Sequence, residues 1–84
     1  MTSRERNTRL YELEERVYGK FVTKVRMLPV PEAEKRRHID AAMAILCEVE
    51  AALASTQTGH AEAVLANAQA QLDALEREVD AQSR

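Results

Sequence analysis

There is no tryptophan in this chain of 84 residues, one phenylalanine and only two tyrosines. Its apolar content comes largely from alanine, which favours helix but brings little area to bury. A chain this short and this poor in large side chains sits near the limit at which one core suffices for independent folding, and it gains much from pairing with a partner. A lone cysteine, Cys47, excludes an intrachain disulfide. Standing among Ala and Leu, it reads as a small buried hydrophobe rather than a nucleophile. Two glycines, Gly19 and Gly59, are too few for a glycine-rich phosphate loop. No apolar run approaches the ~18–20 residues that span a bilayer. The start, Met-Thr-Ser-Arg-Glu-Arg-Asn, leads into no signal-peptide core. A soluble, cytoplasmic protein is the expectation, with no membrane association.

Charge of one sign is also missing overall, the net being −2, but its distribution is uneven. Residues 1–37 hold ten Lys/Arg against six Asp/Glu, and residues 38–84 hold two against eight, so a +4 part precedes a −6 part. Packed helices of opposite charge account for this most simply; a basic face offered to an anionic partner is the sharper alternative.

What is present is helical periodicity, and its centre is the run from Ile39 to Ala54, in which only Asp40, Glu48 and Glu50 are polar. Projected at 100° per residue, Ile39, Ala42, Met43, Leu46, Val49 and Leu53 share one side. Ile45 and Ala52 widen it, and Ala44, Cys47 and Ala51 make a separate line of small side chains. A helix apolar over most of its circumference belongs at a centre, covered by its own chain or by another. Two helices of the same chain leave the Ala44/Cys47/Ala51 line, with Ile45 beside it, for a partner; this is where a homodimer or protein interface is expected.

On either side of this run two further helices are expected. Thr2-Ser3-Arg4-Glu5 matches a capping box with Thr2 as N-cap. Leu10, Leu13, Val17, Phe21, Val25 and Leu28 then recur at intervals of 3, 4, 4, 4 and 3, with Tyr11, Tyr18 and Val22 extending the stripe along one flank and Arg9, Arg16, Lys20 and Lys24 along the other. Gly19 falls on the far side, weakening the helix by up to ~1 kcal/mol relative to Ala. Pro29 and Pro31 make a stiff connector, with Pro31 suited to open the second helix and Glu32 and Glu34 in its first turn favourable to the macrodipole. The stretch 55–60 contains a second interruption, where Thr58 is a candidate cap. In the last helix Ala61, Leu65, Ala68, Leu72, Leu75 and Val79 follow a 4-3-4-3-4 heptad rhythm of coiled-coil type. Ala63, Ala66, Ala70 and Ala74 line its back.

The expected fold is all-α: one domain over residues 1–84, with helices over about 3–28, 31–55 and 59–82. They form an antiparallel up-down-up three-helix bundle, or a helical hairpin whose third helix is completed by dimerisation.

Catalytic constellations are absent. Cys47 and His38 lie 180° apart on one helix, and His38 and His60 begin different helices with no metal-ligand spacing. No enzyme, metal, cofactor or small-molecule substrate is expected. Glu14 and Glu50 intrude on apolar stripes, reaching water at a stripe edge or meeting a partner such as Lys24. Arg16, Lys20, Lys24 and Arg26 on the first helix, with Lys35, Arg36 and Arg37 beyond the prolines, gather positive charge at the elbow. Two functions follow. The first is a non-enzymatic helical protein–protein interaction module of adaptor, co-chaperone or inhibitor type, which self-associates. The second is a nucleic-acid-binding regulator using these cations, though no helix-turn-helix, zinc finger or aromatic platform supports base readout.

Overall fold

The computed structural model describes residues 2–55 and 58–83. Within them lie three helices and no strand. The first runs as α-helix over Ser3–Glu15, passes through a π-helical stretch over Arg16–Phe21, and resumes as α-helix over Val22–Arg26. The second covers Glu32–Ser55 and the third Thr58–Gln82. They pack side by side into a rod of 42 × 17 × 16 Å.

The first helix begins as its residues dictate. The Thr2 hydroxyl accepts from the Glu5 backbone N–H at 3.2 Å and donates to the Glu5 carboxylate at 3.2 Å, so Glu5 reaches back to the hydroxyl rather than to the Thr2 N–H. At its other end, Met27 and Leu28 N–H groups bond three residues back, to Lys24 and Val25 carbonyls, tightening the last turn before the prolines. Pro31 stands just before the second helix, one position earlier than expected, and its carbonyl accepts from the Glu34 and Lys35 N–H groups. The interruption expected within 55–60 falls partly on residues 56 and 57, and the cap expected of Thr58 on a side chain, all outside the described residues.

The π-helical stretch was not anticipated, and the spacing of the core explains it. Three successive steps of four, from Leu13 through Val17 and Phe21 to Val25, would rotate roughly 120° out of line on an α-helix of 3.6 residues per turn. A bond from the Val22 N–H to the Val17 carbonyl, five residues back, takes up the surplus. All four side chains thereby stay buried on one line. Gly19 stands within this stretch, exposed, and the Thr23 hydroxyl donates to its carbonyl at 3.2 Å.

The core runs the length of the rod: Leu13, Val17, Phe21, Val25 and Leu28 from the first helix and elbow, Ala42, Leu46, Val49 and Leu53 from the second, and Ala61, Leu65, Ala68, Leu72 and Val79 from the third. Each fully buried Leu or Val contributes roughly 1.5–3 kcal/mol. Ile39, Met43, Ile45 and Leu75 are half-buried around it. The first helix packs on both others within the one chain, so the bundle is closed and the hairpin alternative does not apply. Cross-helix pairs give the directions. Arg16 meets Asp73 and Lys24 meets Asp80, so the first and third helices are parallel; Arg37 near the start of the second helix meets Glu78 near the end of the third, while Val49 and Ala52 further along line a groove with Val64 and Ala68, so the second opposes the third.

Candidate functional site

Seven cations were singled out by the sequence, and the fold engages most of them internally. Arg16 donates to Asp73 and Glu76, both at 2.6 Å, and Lys24 to Glu76 at 3.1 Å and Asp80 at 3.0 Å. Partial burial works against the Arg16 charge, but its hydrogen bonds to Glu76 and Asp73 outweigh that and raise its pKa. Lys35 donates to the Arg26 carbonyl at 3.0 Å, capping the end of the first helix, and to Glu32 at 3.3 Å. Arg36 stands 3.9 Å from Asp40, one turn along its own helix, and Arg37 bridges Glu34 and Glu78. Only Lys20 and Arg26 of the seven have no carboxylate partner among the described residues. Lys24, expected as a partner for an intruding glutamate, faces the third helix instead; Glu14 is half-buried and Glu50 exposed.

His38, read from the sequence only as a helix-opening residue, is 1% exposed. Its Nε2–H donates at 2.6 Å to the Gln82 amide oxygen, which only accepts and so fixes the tautomer. The Gln82 amide in turn donates to Glu34 at 3.4 Å. Arg37 first, then Gln82, hold the Glu34 carboxyl below the usual carboxylate range. The signal was available: His38 continues the buried line of Ala42, Leu46, Val49 and Leu53 by one step of four. Among the described residues no group of three His, Cys, Asp or Glu side chains is placed to hold a metal ion. Among the described residues no helix is long and apolar enough to cross a membrane.

The chain matches no protein-family model, no curated protein and no solved structure.

Ala44, Cys47 and Ala51 are all exposed on the outer side of the second helix. For Cys47 this corrects the expectation of a buried thiol. Its apolar neighbours in sequence point inward, while the 100° step turns Cys47 itself away from the first and third helices. Ile45, half-buried, lies where this face bends into the groove between the second and third helices. That groove has a volume of about 450 Å³, and Ala41, Ala44, Leu75 and Ala74 also line it. Beyond it the back of the third helix shows Ala63, Ala66, Ala70 and Ala74, exposed. Antiparallel packing sets Ala41, Ala44 and Ile45 beside Gln71, Ala74 and Leu75, and Val49 and Ala52 beside Val64 and Ala68, where residues 63–72 of the third helix carry no charge. Glu48 is the one charged side chain lining that groove near its middle, with Glu78 at one end.

Proposed function

We propose that this chain is a small, non-enzymatic helical protein–protein interaction module, of adaptor, co-chaperone or inhibitor type, that pairs with a second copy of itself. The observation that supports this reading is the exposure of the small side chains Ala44, Cys47 and Ala51 in one line on the outer side of the second helix, with Glu48 and Glu50 at its edges. Small side chains allow two helix backbones to approach closely. The line is also nearly symmetric about Cys47, so an antiparallel copy sets Ala44 against Ala51 in both directions, as a two-fold interface requires. Covering this face adds apolar burial to a chain whose own core is built from few large side chains.

Sedimentation equilibrium of the wild type and of Ala44→Glu and Ala51→Glu tests the reading. The wild type should dimerise in the micromolar range. Either substitution places a carboxylate against the partner helix and should weaken dimerisation by about tenfold or more, because the charge must be desolvated without a partner. A wild type that stays monomeric at high micromolar concentration overturns it.

A further inference from the structure

A second face, on a different helix, is built for a different occupant. Among the described residues the exposed large apolar side chains are Tyr11, Tyr18 and Met27, and the two tyrosines stand two turns apart on the first helix, 63% and 52% exposed. Between them lie Glu14 and Glu15, and all four side chains, with Gly19, line one shallow groove. Neither glutamate has an ion-pair partner among the described residues. The cation between them and Tyr18 in sequence, Arg16, is turned to Asp73 and Glu76 on the third helix. So on a molecule that pairs most of its elbow cations internally, this groove combines exposed aromatic rings with unneutralised carboxylates. Gly19 keeps it open beside Tyr18, since it adds no side chain there.

We infer that the Tyr11–Tyr18 face docks a basic helical segment of another protein. The chemistry selects the occupant. A tyrosine ring attracts a guanidinium or ammonium over its face, and desolvation strengthens the attraction. Glu14 and Glu15 supply the opposite charge between the rings. Rings separated by seven residues of helix are roughly 10 Å apart, a span that two arginines or lysines seven residues apart on a partner helix match. A second copy of this face is a poor occupant, because antiparallel pairing about its middle brings Glu14 and Glu15 of both copies together. Tyrosine is also among the side chains that dominate interface energies once a partner buries them.

The probe is a fluorescein-labelled synthetic peptide with two arginines seven residues apart on an alanine–glutamine helix, read by fluorescence anisotropy against the full chain. A control peptide carries glutamates in place of the arginines. Expected are saturable binding of the basic peptide only and weakening of that binding as salt rises. The pair Tyr11→Ala/Tyr18→Ala should weaken it about tenfold. Glu14→Gln/Glu15→Gln, which preserves shape, should weaken it comparably, and Tyr11→Phe/Tyr18→Phe should retain it because the ring rather than the hydroxyl does the binding. Circular dichroism melts check that each variant folds, and the isosteric glutamine pair keeps the test decisive if the alanine pair does not. Absence of binding, equal binding to the glutamine variant, or a change in the oligomeric state of the chain itself on removing the tyrosines overturns the inference. None of these results depends on whether the alanine face dimerises.

Discussion

Glu76 takes hydrogen bonds from two cations of the first helix, Arg16 at 2.6 Å and Lys24 at 3.1 Å, and its carboxyl is held below the usual carboxylate range by Arg16 first and Lys24 second. A depressed folded value means that the unfolded chain binds the proton more readily. The ion pairs therefore stabilise fully above the ordinary glutamate value of about 4.3, and that stability is lost as the pH falls through the lower folded value. Lys24, raised by Asp80 and then Glu76, adds the converse: its contribution holds below the ordinary lysine range and is lost only in strong alkali. Glu76 is about a third exposed, so solvent screening limits the pairs to about 1 kcal/mol together. Glu76→Gln should lower the melting temperature by roughly 4–8 °C at pH 7, given the size of the chain. In paired melts from pH 7 to pH 3, the wild type and variant should converge in the acid range. A gap that persists undiminished at pH 3 would show that the glutamate acts through packing and not through charge.

At the scale of the helix, the first one carries a core repeat that is one residue too long. From Leu13 to Leu28 the buried side chains step 4-4-4-3, and the π-helical stretch around Gly19 absorbs the excess. Deleting Gly19 changes the steps to 4-3-4-3, a regular heptad that an α-helix presents without correction. The deletion should keep the bundle and raise its stability by about 1 kcal/mol, the cost of a glycine within a helix. Gly19→Ala should also stabilise, since the nearest atom to an added Cβ is Glu15 Cγ at 3.8 Å, but it leaves the residue count and so the π-helical turn unchanged. Urea melts of both variants check this, and a deletion variant that unfolds would mean that the π-helical turn itself is required. The same spacing shows what the sequence made legible. The third helix, with its 4-3-4-3-4 rhythm, places every member of its seam in or against the core. The first helix showed its buried line but hid its geometry, because three steps of four in a row are the mark of an inserted residue and not of an ordinary α-helix. Tyr11 and Tyr18, read as a flank of that line, end up exposed because a bundle only 17 × 16 Å across covers a narrow strip of each helix. The pairing of Arg16 and Lys24 with the third helix was legible only as a charge imbalance between the two parts of the chain. Which carboxylates they meet depended on a register that sequence periodicity does not set.

For the whole molecule, the decisive quantity is which charges remain for a partner once the helices have met. Arg16 and Lys24 of the +4 part meet carboxylates of the −6 part along the first and third helices, as Arg36 and Arg37 do at the elbow, and the alanine line of the second helix lies apart from the pairs between the first and third helices. Association through that face rests on apolar burial, which salt does not screen and which excluded salts such as sulfate strengthen. Association through the basic elbow would rest on exposed charge, which is screened over about 10 Å at 0.1 M salt. The dimerisation constant should therefore hold steady or tighten between low salt and molar sodium sulfate, whereas binding of the basic peptide at Tyr11 and Tyr18 should weaken over the same range in sodium chloride. Opposite salt responses in one molecule would separate the two faces without any substitution. A dimer that dissociates steeply on adding salt would move the proposed interface from Ala44, Cys47 and Ala51 to the cations around Arg36 and Arg37, and would favour an anionic partner over an apolar one.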